Sequence, residues 1–288
     1  MKSNPKASIS EILDSIKRSK ATSPLRFESN IMNIVSWNIN SLRTAKSEPS
    51  FQEFLSKTTP EVLCFQETKV MMSSFSKYKS DFPEYPFQYW GFPDTRKAGV
   101  AILSKGEALS VKQGFHNLQN SVGRVISVEF EHIWLCNSYC PVFRTFQNAE
   151  TWHLTLRSNL TEISKTKPVV WVGDFNIVAE SVDYQQGRSL FSGCSEQEMQ
   201  VMQGHFDGGF IDSYRYFHPE KVKFTWRSFR MNGNPFLIPV RSRVDYALVW
   251  NTLSNCLQKA SIYDKVLNVS DHCPIGLGLD FCGLNYKN

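Results

Sequence analysis

Residues 169–176 read Val-Val-Trp-Val-Gly-Asp-Phe-Asn, and this stretch constrains the fold more than any other in the chain. Val169, Val170, Trp171 and Val172 predict a strand buried on both faces. Gly173 ends it, and the two-residue period of extended chain then places Asp174 and Asn176 on one side while Phe175 turns back into the core. A carboxylate and an amide driven together off the end of a buried strand cost free energy unless something uses them. A plain Asx turn is the bland alternative. The functional reading gains weight because other strand ends in the chain repeat the pattern.

Residues 31–40 predict a strand that ends in Asn38 and Asn40 on one side with Ile39 on the other. After a helix over 51–57, Pro60 introduces a buried strand over 62–65 that runs directly into Gln66-Glu67-Thr68-Lys69. A further strand is expected over 99–103, and a hairpin over 124–128 and 133–139 is joined at Glu131-His132. Pro141 stops that ladder and leaves Tyr139 at the rim. Trp152, Leu156, Leu160 and Ile163 mark one face of a helix over 149–165, and a second helix is expected over 195–206. Residues 210–215 read as short and extended, and Phe224-Thr225-Trp226 begins another strand. Residues 243–250 form a strand with Asp245 near its start, and Ser270-Asp271-His272 precedes a last one reaching Leu279. Short strands interleaved with a few helices predict two packed sheets with helices outside, as one domain over 31–288. Residues 1–30, rich in Lys, Ser and Pro, are expected to be a flexible basic extension, with a short amphipathic helix around Ile9, Ile12, Leu13 and Ile16.

Composition narrows the function classes. No apolar run is long enough to cross a membrane, and the N-terminal stretch has no signal-peptide core. Seven cysteines, with no CxxC pair, fit reduced thiols of an intracellular protein, with the nucleus expected and a mitochondrion or other organelle as the alternative. A net charge of +5 is compatible with a polyanionic partner, and nothing calls for an oligomer, so a monomer is expected.

The polar residues at the strand ends are Asn38, Asn40, Glu67, Tyr139, Asp174, Asn176, Asp245, Asp271 and His272. Together they offer hard oxygen donors with one imidazole, one phenol and no thiolate. Such donors suit Mg²⁺ or Mn²⁺, which take one or two carboxylates plus waters and substrate phosphate, better than zinc. An asparagine beside an aspartate can orient an attacking water, and an Asp–His pair fixes one imidazole tautomer. The set suits metal-assisted, in-line hydrolysis of a phosphodiester.

These residues also carry a resemblance. Ser36-Trp37-Asn38-Ile39-Asn40, Gln66-Glu67-Thr68-Lys69, Gly173-Asp174-Phe175-Asn176, Arg243-Val244-Asp245-Tyr246 and Ser270-Asp271-His272 stand in the order seen in the exonuclease III-like abasic-site (AP) endonucleases of the endonuclease/exonuclease/phosphatase superfamily. Gly123-Arg124-Val125-Ile126, Tyr139 with Pro141, and Phe210 to Arg215 are secondary matches, and the likeness spans 31–280. The resemblance implies a DNase I-like, four-layer α/β sandwich of two mixed sheets flanked by helices. Glu67 would be the principal metal ligand, with Asn38, Asn40 and Asp271 around the ion. Asp174, helped by Asn176, would position or deprotonate the water. His272, oriented by Asp245, would stabilise the phosphate's developing charge, and Tyr139 would contact that phosphate or assist the leaving group.

The implied activity is Mg²⁺-dependent cleavage of double-stranded DNA 5′ to an abasic site, leaving a 3′-hydroxyl, with 3′-exonuclease or 3′-phosphodiesterase action on blocked ends. Lys69, Arg124, Arg144, Trp226, Arg227, Arg230 and Arg243 are expected to face the DNA, with Arg96, Lys97 and Arg241 adding positive charge. Val142 stands where these enzymes usually carry asparagine, and Ser242 where they carry a tryptophan of the sugar pocket. The alternatives are a retroelement-type nicking endonuclease, a lipid or inositol phosphatase of the same superfamily, and a DNA-binding subunit that has lost catalysis.

Overall fold

Two six-stranded mixed sheets form the centre of the chain. A computed structural model describes residues 27, 29–94, 97–185, 193–228, 240–266 and 268–282. In chain order its strands begin with β1 (Ile31–Asn38), β2 (Val62–Gln66), β3 (Phe87–Gly91), β4 (Val100–Ser104), β5 (Ser110–Gln113), β6 (Val125–Glu129) and β7 (Trp134–Tyr139). They continue with β8 (Val169–Asp174), β9 (Phe210–Asp212), β10 (Trp226–Arg227), β11 (Arg241–Ser242), β12 (Asp245–Trp250), β13 (Leu257–Ile262) and β14 (Ile275–Asp280). One sheet runs β13-β14-β1-β2-β4-β3 and the other β5-β6-β7-β8-β12-β9. In the first only β1 and β2 are parallel, and in the second only β7 and β8. Each sheet is therefore a parallel pair bracketed by antiparallel neighbours.

Alternation along the strands decides what each face meets. Ile34 of β1, Val62 and Cys64 of β2, Leu135 of β7, Val170 and Val172 of β8 and Val249 of β12 point between the sheets into one shared core. The opposite phase carries Trp37, Leu63 and Phe65 outward on the first sheet, and Trp171 outward on the second. The helices cover those outer faces. On the first sheet, α1 (Leu42–Ala45) and α2 (Pro49–Thr58) bring Leu42, Phe51 and Phe54 onto Trp37 and Phe65. A short α3 (Phe75–Lys79) follows. On the second sheet, α4 (Phe146–Ser164) and α5 (Glu196–Asp207) bring Leu156, Leu160 and Met202 onto Trp171 and Phe175. The result is helix, sheet, sheet, helix: the four layers expected from the sequence.

Followed towards the C-terminal ends of the parallel strands, the inward rows change chemistry in step. Ile34, Ser36 and Asn38 form one row, Val62, Cys64 and Gln66 another, and Leu135, Asn137 and Tyr139 a third. Val170, Val172 and Asp174 make the fourth, and β12, running antiparallel, contributes Val249, Ala247 and Asp245. Aliphatic core gives way to polar groups at one end of the sandwich, and the site forms there.

The structure differs from expectation in local elements. Only Phe210–Asp212 of the 210–215 segment is extended, and Ser213–Phe217 forms α6. The Asp212 carboxylate accepts from the backbone N–H groups of Tyr214 (3.0 Å) and Arg215 (3.1 Å), an N-cap that converts strand to helix within one residue. The α4 helix begins at Phe146, earlier than the apolar stripe indicated. The strand begun by Phe224-Thr225-Trp226 is the two-residue β10, paired with β11. Most of the proposed extension, including its short helix, lies outside the described residues, as do Arg96 and Arg230.

Candidate active site

The Asn38 side chain joins the two sheets. Its Nδ2 donates to Glu67 Oε1 (3.0 Å) on one side and to Asp174 Oδ2 (2.9 Å) on the other. The backbone N–H of Asn40 donates to Asn38 Oδ1 (3.1 Å), so the amide is fixed with its nitrogen towards the carboxylates. Glu67 lies one residue beyond β2 in a left-handed conformation (φ 50°) that swings its side chain into the gap. Backbone bonds hold that turn: Thr68 N–H donates to Gly99 O (3.0 Å) and Lys69 N–H to Ala98 O (2.9 Å). A Cβ on Gly99 would lie 2.4 Å from Thr68 Oγ1, so only glycine allows this approach.

Strand register supplies the second half. Asp174 lies beside Tyr139 in the parallel β7–β8 pair and beside Asp245 in the antiparallel β8–β12 pair. Its Oδ1 accepts from the Asn176 backbone N–H (2.9 Å). Burial pushes the Asp174 carboxyl up to about 7, with the Asp245 charge adding to the shift and His272 opposing it. The Asn176 side chain donates from Nδ2 to Cys140 O (2.7 Å). Thr225 Oγ1 accepts from the backbone N–H groups of Val244 (3.0 Å) and Asp245 (3.1 Å), fixing the start of β12.

His272 closes the arrangement. Its Nδ1 lies 2.8 Å from Asp245 Oδ2, and its Nε2 lies 3.8 Å from Asp174 Oδ2. Burial opposes the imidazolium, but the Asp245 and Asp174 carboxylates outweigh it and push His272 up to about 10. The paired carboxylates thus favour the imidazolium, with Nδ1–H donated to Asp245. Trp37 Nε1 donates to His272 O (3.0 Å), and β10 anchors the same turn through Arg227 N–H to Asp271 O (3.0 Å). The ligand atoms of Asp174, Asp245 and His272 all lie within 4.8 Å of one another. Tyr139 lies beside Glu67 with the Arg124 guanidinium 4.8 Å over its ring. Burial, reinforced by Glu67 and Asp174, pushes its phenol far up, so it remains a neutral O–H donor.

All nine strand-end residues meet at this end of the sandwich, in two tiers. Asp271 stands behind Asn40 and Trp226: Asn40 Nδ2 donates to its Oδ1 (3.0 Å) and Trp226 Nε1 to its Oδ2 (3.1 Å). Lys69 reaches Asn40 Oδ1 at 2.6 Å and Glu67 Oε2 at 3.2 Å. Arg227 is drawn to Asp264 O (3.1 Å) and Cys273 Sγ (3.0 Å), and Arg144 is exposed.

Arg243 corrects the sequence reading. It is 1% exposed and bonded to Asp183 (2.7 Å) and Asp212 (2.6 Å) beneath the site, so it cannot meet a phosphate on the surface. Ser242, expected at the sugar pocket, is also buried. Gln66, named above only within its motif, and Asn137, given no role there, form a polar clamp under the site. Gln66 Nε2 donates to Asn137 Oδ1 (2.7 Å) and Ser36 Oγ (2.9 Å), and Asn137 Nδ2 donates to Phe65 O (3.0 Å) and Ala101 O (2.9 Å). Their two-residue phase with Cys64 and Tyr139 was the signal that could have found them.

Comparison with known proteins agrees with this geometry. The Endonuclease/Exonuclease/phosphatase family matches residues 35–272. An exodeoxyribonuclease of Bacillus subtilis is 29% identical over 255 residues, spanning 85% of this chain and 98% of that protein. The DNA repair nuclease APEX1 of Danio rerio is 30% identical over 261 residues, spanning 86% of this chain and 82% of its own. Among solved structures, a 3′ phosphatase from Neisseria bound to a product DNA hairpin is similar with a TM-score of 0.76 at 26% identity, covering 87% of this chain and 100% of that one. The family match encloses every side chain from Asn38 to His272, and the chain belongs to the endonuclease/exonuclease/phosphatase family.

Proposed function

We propose that this protein is a Mg²⁺-dependent DNA repair phosphodiesterase that cuts duplex DNA 5′ to an abasic site and leaves a 3′-hydroxyl. The carrying observation is the continuous polar line Glu67–Asn38–Asp174 with His272 and Asp245 closing it, drawn from both sheets. Asp174 takes the proton of a water held between its carboxylate and the Asn176 carbonyl oxygen, a role suited to a base near neutrality. The His272 imidazolium, held by Asp245, stabilises the charge that builds on the phosphoryl oxygens. Tyr139 donates its phenol hydrogen bond to the same phosphate. Lys69, Arg124, Arg144 and Arg227 bind the backbone without reading sequence, and Trp226 packs on the sugar side.

The donor set fits a hard divalent ion. Glu67, Asn40 and the site's other groups offer oxygen, whereas the adjoining thiol Cys140 is buried, pushed up by burial and engaged with His153 Nε2 at 3.1 Å. Asp174, Asp245 and His272 are paired with one another, so Glu67 with Asn40 is the more open pole for the ion. A bound ion there supplies charge neutralisation at the phosphate. The same groups serve a blocked 3′ end, which needs only a terminus in place of the abasic sugar, and one chain holds every group the reaction uses.

The test is an end-labelled duplex bearing one abasic-site analogue, run beside the intact duplex and a 3′-blocked duplex, with Mg²⁺ or EDTA and with Glu67→Ala protein as control. We expect Mg²⁺-dependent cutting at the analogue and at the blocked end. Cutting of the intact duplex alone would move the assignment to a nicking endonuclease, and binding without cutting to an inactive subunit.

A further inference from the structure

The Lys69 ammonium sits among oxygen atoms in the manner of a bound metal ion. Its Nζ lies 2.6 Å from Asn40 Oδ1, 3.1 Å from Asn40 O and 3.2 Å from Glu67 Oε2. Two hydrogen bonds to Asn40 and an ion pair with Glu67 hold the ammonium there. We propose that Lys69 is the resident cation of this site: a divalent ion displaces its ammonium from Glu67 and Asn40, and the freed ammonium moves to a DNA phosphate. The inference rests on the reading of the site as that of a metal-dependent nuclease.

What decides between an exchangeable cation and a structural strut is whether the oxygens need Lys69 to stay in place. They do not. Asn40 is held by its own left-handed backbone (φ 49°), by its N–H to Asn38 Oδ1, and by Nδ2 to Asp271 Oδ1 (3.0 Å), which turns Oδ1 towards Lys69. Glu67 is held by its φ of 50°, by Asn38 Nδ2 on Oε1, and by the Thr68 and Lys69 backbone bonds to Gly99 and Ala98. Every one of these contacts survives removal of the Lys69 side chain. The oxygen trio is thus built in advance for a cation, and Lys69, 27% exposed, is the part free to leave.

Two cations competing for one oxygen set give a definite sign. Mn²⁺ affinity, read by electron paramagnetic resonance without DNA, should rise about fivefold in Lys69→Met relative to the native protein at equal ionic strength. A strut would give the reverse, weaker Mn²⁺ binding, and an unchanged affinity would equally overturn the proposal. By reciprocity, saturating Mn²⁺ should tighten native binding of a duplex with a non-hydrolysable linkage, and this gain should vanish in Lys69→Met. Should the variant fold poorly, the native protein decides: the Lys69 Cε resonance should shift as Mg²⁺ is added, and a resonance unmoved at saturation would sink the idea. The metal-binding measurements use no substrate, so a protein that exchanges its ammonium but leaves abasic DNA uncut would fail the nuclease reading alone.

Discussion

At the scale of single residues, the proposed roles of Asp174 and His272 predict the working pH. On the roles proposed above, activity needs Asp174 ionised, which happens as pH rises through about 7, and His272 protonated, which is lost as pH rises through about 10. The expected profile of kcat/KM is a bell with limbs near those values. Asp245→Asn removes the carboxylate that most strongly raises His272, so the upper limb should move down by at least one pH unit while the protein stays folded. A stationary upper limb would assign it to another group. The raised His272 also stabilises the fold fully below its ordinary value of 6.5, a contribution lost as pH climbs through about 10. Asn38 and Asp174 were legible in the sequence because polar residues in the inward phase at the end of an apolar strand announce themselves, and Glu67 and His272 because each adjoins a strand, Glu67 one residue past β2 and His272 three before β14. Arg243 was not. Its partners lie 60 and 31 positions away, and an arginine in an arginine-rich stretch reads the same whether those acids meet it or not.

Among the elements, the β7–β8 pair is the least tolerant of change. Gly173 has φ 140°, and a Cβ there would lie 1.9 Å from Ser138 O, in the neighbouring strand one residue before Tyr139. Gly173→Ala must therefore separate the two strands or twist Asp174 out of line. We expect a loss of about 3 kcal/mol or more in urea unfolding, together with a fall in kcat larger than the change in KM. Unchanged stability would mean that the strands can part there without strain. The strong strands were readable from their buried runs, whereas β5 and β13 were not. Both alternate poorly and carry exposed polar residues, since β5 is an edge strand and β13 leaves one face to solvent. Helix α6 escaped because a single cap, Asp212, overrides the extended appearance of its segment.

For the molecule as a whole, the site exists only where the sheets meet, and the Gln66–Asn137 clamp sets that meeting. Asn137→Leu keeps the volume but removes the donor shared by Phe65 O and Ala101 O and the acceptor used by Gln66 Nε2. Leaving those buried groups unpaired should cost about 2–3 kcal/mol and lower kcat by moving Tyr139 and Asp174 relative to Glu67. A urea midpoint equal to that of the native protein would show the clamp to be dispensable. Sheet against sheet was predictable from the pattern of elements, but the register between sheets was not, because it depends on contacts such as this one across 71 residues of chain.

The pairing of β1 with β14 joins the first described strand to the last. During synthesis β1 must wait, one long edge open, until residues 275–280 have emerged. A product that stops just after Pro274 would carry every side chain named in the mechanism and still have no β14 to close the sheet behind Asn38 and His272. Such truncated copies should be inactive, so that cutting starts only once the sheet is complete.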